Sequence, residues 1–250
     1  MFTVKDRERV RERVLELAAG DARVVASAVV GSLALSEGDR WSDLDLTFAV
    51  ANNFPPGGVL DDWTRTLVDE FDAAQLFDLS TGASIYRVFL LPGCLQFDLS
   101  FTPASQFGAI GPKFKLLSGV AVEKPHIQPT AAQELFGYAA HHAVRARTCI
   151  ERGRYWQAEY WISATRDYAL SLACRRRDLS PFYGRCFDDL PADVRHRFIE
   201  ALPTSLQRDA LLAALHAAVG GLLKEATDLP ESVAKVAPRL RELMRMTNDE

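Results

Sequence analysis

The chain has 250 residues, of which 48% are hydrophobic and 25% are charged, and its formal net charge is -4. These values are typical of a globular protein that buries a substantial core in one large domain or two small ones. The acidic excess lies in the first half of the chain, and neither half looks like an electrostatic footprint for nucleic acid, since the run Arg175-Arg176-Arg177 stands where a helix should end. This excludes the basic surface that duplex DNA or RNA requires, so no nucleic-acid partner is expected.

Helical and strand-like segments are mixed through residues 1–125. Thr3 is suited to cap the first helix, and a β-rich run ends at Gly31-Ser32. The predicted elements, in order, are a helix over residues 3–19, strands over 23–30 and 44–50, a helix over 60–71, and strands over 75–79, 85–91 and 95–101. This mixture predicts an α+β fold with a mixed-sheet domain over residues 1–125.

Residues 126–250 have a different pattern, with helical periodicity and no convincing strand. Prolines and Gly153 mark the expected breaks between helices. The predicted helices cover about 130–151, 155–177, 190–201, 204–226 and 231–246. We expect an all-helical bundle over residues 126–250, which makes the chain a two-domain protein.

Gly31-Ser32 stands where the first strand ends. The missing side chain of Gly31 lets a phosphate approach the backbone. The hydroxyl of Ser32 and the free amides of the helical turn that begins there can donate to phosphate oxygens. The pair is therefore a candidate phosphate-binding turn.

Three aspartates extend this candidate site. Asp43 and Asp45 lie two residues apart at the start of the second strand, so both carboxylates lie on one face. Adjacent carboxylates repel each other unless a cation lies between them, and Mg²⁺ prefers carboxylate and phosphate oxygens. Asp98 lies on the polar face of a later strand, where it can bind a metal or accept a proton from an attacking hydroxyl.

Gly31-Ser32, ten intervening residues, Asp43-Leu44-Asp45 and a later strand Asp98 together resemble the DNA polymerase β-like nucleotidyltransferase superfamily. The run Arg40-Trp41-Ser42-Asp43 and the helical second half are similar to the antibiotic nucleotidyltransferases that modify lincosamides and aminoglycosides. The resemblance implies that Gly31 and Ser32 contact the triphosphate, that Asp43 and Asp45 bind Mg²⁺, and that Asp98 is the third carboxylate. It further implies two Mg²⁺ ions and a nucleoside triphosphate as co-substrate, with ATP as the first candidate.

Basic residues near this set have two interpretations each. Arg40 either approaches the triphosphate or fixes the acidic loop through an ion pair, and an exposed loop arginine is the alternative. Lys113 and Lys115 either neutralise phosphates or form a solvated surface pair.

A helix in the second half carries a candidate acceptor wall. Trp156, Glu159, Ser163 and Arg166 lie along one of its sides. Glu159 is suited to act as general base or to bind a cationic substrate, so Asp98 and Glu159 are alternative bases. The competing interpretation is an intrahelical salt bridge beside aromatic core residues.

The four cysteines Cys94, Cys149, Cys174 and Cys186 are scattered, which indicates free thiols in a reducing compartment, with Cys149 and Cys174 in the helical core. The residues after Met1 become charged at once, which argues against a signal peptide, and no apolar stretch is long enough to cross a membrane. We expect a cytoplasmic protein without a membrane partner. Its oligomeric state, a homodimer included, stays open.

The predicted function is Mg²⁺-dependent transfer of NMP, AMP in the first place, from an NTP to a hydroxyl of a small-molecule acceptor, with release of pyrophosphate. An antibiotic is one candidate acceptor, and the acidic first half would suit a cationic one. Two alternatives remain: a protein-modifying, AMPylating nucleotidyltransferase of toxin–antitoxin type, and a nucleotide-binding module that catalyses nothing.

Overall fold

The computed structural model describes residues 1–227, 229 and 231–245, and the chain divides into two compact units, Met1–Ile127 and Gln128–Glu250. The first unit combines a β-sheet with two helices, and the second is built from helices. The α+β class predicted from the sequence is therefore confirmed. The last residue of the predicted helix over 231–246 lies outside the described residues.

The first unit contains two helices and six strands. In chain order they are α1 (Val4–Gly20), β1 (Val24–Val30), β2 (Leu44–Val50), α2 (Pro56–Phe71), β3 (Ala74–Thr81), β4 (Ser84–Leu91), β5 (Leu95–Pro103) and β6 (Phe114–Ser118). Thr3 and Asp6 form a capping box at the start of α1, as the position of Thr3 predicted. β6 was not predicted from the sequence.

The sheet has the strand order β3-β4-β5-β2-β1-β6. β2 and β5 are parallel, whereas the other neighbouring pairs are antiparallel, so the sheet is mixed. Apolar residues of α1 and α2 pack with the inward side chains of β2 and β5 in one core. Phe48, Trp63 and Phe101 meet at the centre of this core, with ring centroids 5.0–5.6 Å apart. The helices thus cover one face of the sheet and leave its other face for side chains such as Asp45.

The second unit is a helical bundle. Its helices are α3 (Ala132–Glu151), α4 (Tyr155–Arg175), α5 (Ala192–Ile199), α6 (Arg208–Glu225) and α7 (Glu231–Arg245). All five contribute to one hydrophobic core, in which the predicted burial of Cys149 and Cys174 is confirmed. No helix among the described residues has both the length and the apolar character needed to cross a membrane.

A buried carboxylate ties several arginines together inside this bundle. Glu225 at the end of α6 is 2% exposed. It accepts hydrogen bonds from Arg177 and Arg197, each at 2.9 Å, and lies 3.4 Å from Arg176. A buried charge requires such partners because an unpaired carboxylate in the core is costly.

Candidate active site

The glycine that ends β1 brings its backbone against one of the predicted metal ligands. Gly31 opens a 3₁₀ turn, Gly31–Leu35, with a φ of +70°, a conformation that favours glycine. A Cβ at this position would lie 2.3 Å from Oδ2 of Asp45. Only glycine therefore lets the turn and the Asp45 carboxylate approach so closely.

Asp45 and Asp98 lie side by side in the sheet. They are direct partners in the parallel pairing of β2 with β5. Leu44 and Leu46, the neighbours of Asp45, are buried in the core on the helix side. Because side chains alternate along a strand, both carboxylates lie on the sheet face away from the helices. The structure thus brings Asp45 and Asp98 side by side, and the charge of Asp43, the third aspartate of the predicted set, also acts on Asp98.

Asp98 carries a perturbed carboxyl group. Partial burial raises its pKa above the usual value of 3.8, and the negative charge of Asp43 raises it further. Gln96 opposes both effects, since its Nε2 donates a hydrogen bond of 2.9 Å to Oδ1 of Asp98. A carboxylate that is destabilised in its charged form is a stronger base toward a nearby hydroxyl.

The loop before Asp43 is held by a buried arginine that the sequence analysis missed. Arg7 of α1 is 4% exposed, and its Nη1 donates hydrogen bonds of 2.8 Å to the carbonyl oxygens of Asp39 and Ser42. The Asp39 carboxylate in turn accepts from the amide of Trp41 at 2.8 Å and from the Ser42 hydroxyl at 3.1 Å. These bonds fix the loop that leads to Asp43. The signal was in the sequence, because helical spacing places Arg7 on the same buried face as Val10.

Arg40 lies in the same loop and packs on its neighbour. Its guanidinium carbon is 3.9 Å from the ring centroid of Trp41, a cation–π contact, and Trp41 is 56% exposed. Within the described residues Arg40 forms no ion pair, so the predicted ion pair in the acidic loop is not formed. Its predicted approach to a triphosphate stays a prediction.

Lys113 lies against the phosphate-binding turn. Its carbonyl oxygen accepts a hydrogen bond of 3.2 Å from the amide of Gly31, and its Nζ donates one of 2.8 Å to Glu37. The amide of Gly31, which precedes the turn predicted from Ser32, is thus not free, because the chain segment that leads into β6 accepts its hydrogen bond. Lys113 is not a purely solvated lysine, since it pairs with the segment that follows the turn.

The three aspartates do not form a preassembled metal cluster. Among the described residues no group of three or more His, Cys, Asp and Glu side chains is arranged to hold a metal ion. Mg²⁺, however, usually takes one or two carboxylates together with substrate phosphates and water. Asp45 and Asp98 fit that requirement. They are register partners, and the Gly31 turn approaches Asp45 more closely than a residue with a Cβ would allow.

Glu159 lies in the second unit, on α4. Its Oε1 accepts a hydrogen bond of 2.7 Å from the hydroxyl of Ser163, one turn later. Arg166 pairs instead with Asp167 at 3.0 Å, and Trp156 is 78% exposed. An intrahelical salt bridge does form on this helix, but Arg166 makes it with Asp167 and not with Glu159, and the exposed Trp156 lies outside the core. The role of Glu159 as a base stays a prediction.

Comparison with known proteins adds little to this geometry. No family model matches the chain, and no curated protein matches it. Among solved structures, the chain is similar to an aminoglycoside 6-adenyltransferase from Bacillus subtilis, with 10% identity, a TM-score of 0.41, and coverage of 93% of this chain and 96% of that chain. A likeness at this level carries no argument about function, so the residues of the site have to supply it.

Proposed function

We propose that this chain is a Mg²⁺-dependent nucleotidyltransferase that moves NMP, AMP in the first place, from an NTP to a hydroxyl of a small molecule. One observation carries the proposal: Asp45 and Asp98 are in-register partners on neighbouring strands, and the Gly31 backbone approaches the Asp45 carboxylate as closely as only glycine allows. A metal–triphosphate complex needs carboxylates to bind the metal and a backbone turn that its phosphates can approach closely.

The nucleotide end of the proposed site is the turn Gly31–Leu35. The Ser32 hydroxyl and the amides of the first turn that lack an intrahelical acceptor would donate to phosphate oxygens. Lys113 is hydrogen-bonded to Gly31 through its carbonyl, so its ammonium group is tethered beside the turn. We assign it to the triphosphate, in exchange for its present ion pair with Glu37. Arg40 is a second candidate cation.

The acceptor end lies at Asp98. The hydroxyl oxygen of the acceptor attacks the α-phosphorus of the NTP, the new O–P bond forms, the bond from the α-phosphorus to the bridging oxygen breaks, and pyrophosphate leaves. The carboxylate of Asp98, beside Asp45 on the same sheet face, takes the hydroxyl proton. Mg²⁺ held by Asp45 with Asp43 and Asp98 would supply charge neutralisation at the phosphates and at the leaving pyrophosphate. Glu159 is the alternative base.

The test is transfer of label from [α-³²P]ATP with Mg²⁺ to a panel of hydroxyl-bearing acceptors that includes lincosamides and aminoglycosides, with pyrophosphate release measured in parallel. We expect Asp45→Asn to abolish transfer while circular dichroism shows an unchanged fold. Asp69→Asn, which removes an exposed carboxylate from the outer side of α2, is the matched control and should retain activity. Transfer by Asp45→Asn at the unaltered rate would refute the proposal. Label on a protein band instead would favour the AMPylating alternative.

A further inference from the structure

The sheet face that carries the two aspartates continues across the two outer strands. Asp98 is the register partner of Val88 on β4, and Val88 is the register partner of Phe77 on β3. Asp45, Asp98, Val88 and Phe77 thus form one row across four strands. Since neighbouring strands lie about 4.8 Å apart, Phe77 stands about 10 Å from Asp98 along the sheet.

A second row runs beside the first. Ser100 on β5 is the partner of Tyr86, and Tyr86 is the partner of Leu79. Leu90 shares this face, because it is the partner of Gln96. We call the five side chains of the outer strands on this face the apolar ledge, and they are Phe77, Leu79, Tyr86, Val88 and Leu90.

The apolar ledge is most exposed on the edge strand β3, which lies two strands away from Asp98. Val88, next to Asp98, is 6% exposed, whereas Leu90 is 38%, Phe77 50% and Leu79 55% exposed. Contiguous, exposed, large apolar side chains are uncommon on protein surfaces. Beside a polar site they indicate a binding surface.

The apolar ledge carries no charge of its own strands. The charged residues of β3 and β4 are Asp78 and Arg87, and both lie on the opposite face. There Arg87, 7% exposed, binds Asp78 at 2.7 Å and Asp61 at 2.9 Å. A polycationic molecule would therefore find no counter-charge on the apolar ledge, while an apolar or aromatic ring would find Phe77 and Tyr86 to pack on.

β3 is also an edge strand of the sheet, so a second copy of the chain is the rival occupant of the apolar ledge. The pairing of β3 with β4 shifts register between Gln75 and Phe77, a β-bulge. Bulges and charged residues such as Asp78 on an edge strand hinder edge-to-edge pairing. The continuous rows from Asp98 favour a ligand that also reaches the carboxylates.

We propose that the apolar ledge binds the body of the acceptor, which is a small molecule with an apolar or aromatic ring about 10 Å from its reacting hydroxyl. The hydroxyl lies at Asp98, and the ring packs on Phe77 and Leu79. This inference rests on the proposed function and narrows the acceptor class away from polycationic sugars.

The apolar ledge can be tested without nucleotide. ¹⁵N-labelled protein is titrated with 4-phenyl-1-butanol, and with glycerol as an alcohol lacking the ring, while amide chemical shifts are followed. We expect the aromatic alcohol alone to shift amides of β3 and β4. Its apparent Kd should rise at least about fivefold in Phe77→Ser/Leu79→Ser, remain near the unmodified value in Phe77→Leu, and be unchanged in Val68→Ser, which removes a similarly exposed apolar side chain (45%) from α2.

Several results would overturn the inference. They are equal binding by the serine double variant, equal shifts with glycerol, and shifts confined to other parts of the chain. Sedimentation that shows a dimer which the double variant dissociates would make the apolar ledge a subunit interface instead. Nucleotide transfer without binding at the ledge would refute the ledge alone. Binding at the apolar ledge without any nucleotide transfer would refute the proposed function, and the ledge would then have no role as an acceptor site.

Discussion

Replacing Gly31 by alanine tests the close approach on which the site depends. Two costs are expected at this position. The left-handed conformation, φ +70°, costs a residue with a Cβ about 1–2 kcal/mol. The new Cβ would also lie 2.3 Å from Oδ2 of Asp45, so the carboxylate or the turn has to move.

Gly82→Ala separates these two costs. Gly82, in the turn between β3 and β4, has a φ of +60°, and a Cβ there would meet nothing within 4 Å. It therefore pays the conformational cost alone. Gly82→Ala should lose about 2–8 °C in Tm, since about 1 kcal/mol corresponds to about 2–4 °C for a protein of this size. Gly31→Ala should lose more, because its Cβ also meets the Asp45 carboxylate.

Only Gly31→Ala should lose catalysis. A displacement of about 1 Å at a reacting centre can reduce the rate about 100-fold. We expect a loss of this order in kcat for Gly31→Ala and at most about a twofold change for Gly82→Ala, measured as pyrophosphate release with Mg²⁺-ATP and the acceptor found in the panel. If Gly31→Ala folds and turns over like Gly82→Ala, the contact between the turn and Asp45 plays no part in the reaction.

Three further predictions follow from named contacts. Arg7→Met removes both hydrogen bonds to the loop before Asp43, so kcat should fall and the free energy of unfolding should drop by about 1–3 kcal/mol in urea titrations, with Arg7→Lys intermediate. Gln96→Leu removes the bond that lowers the pKa of Asp98, so the acidic limb of the kcat/KM profile should move to higher pH, and an unmoved limb would argue against Asp98 as base. Glu225→Gln removes the buried negative charge that Arg177 and Arg197 bind and should cost about 3–5 kcal/mol in the same unfolding assay, whereas a loss below about 1 kcal/mol would contradict a tightly coupled cluster.

The sequence predicted which face of a strand each side chain occupies where local periodicity decides the outcome. Alternation along a strand is enough to place Leu44 and Leu46 in the core and Asp45 on the other face. The same rule placed Asp98 opposite the apolar side chains of its strand. These are properties of single strands, and they needed no knowledge of which strands are neighbours.

The alternation of side chains along a strand does not predict the order of the strands in the sheet. Asp45 and Asp98 are register partners because β5 is inserted beside β2 in parallel, after a helix and a hairpin. β6 was missed because only five residues form it and they lie at the edge, where pairing with β1 rather than burial of a continuous apolar run defines the strand. The hydrogen bond from Arg7 to the loop likewise joins residues more than thirty positions apart, so local periodicity does not predict it.

Net charge alone gives little information about the acceptor, and the cationic acceptor that it suggested stays a prediction. The acidic first half suggested a cationic acceptor, but much of that acidity is neutralised locally. Asp21 and Asp62 bind Arg23, and Glu70 binds Arg13. The face beside Asp98 carries apolar side chains instead, because the charged residues of β3 and β4 lie on the opposite face, a separation that composition does not reveal. In the proposed reaction, the apolar ledge would therefore select the body of the acceptor, while Asp98 receives only its hydroxyl and Asp45 only the nucleotide end.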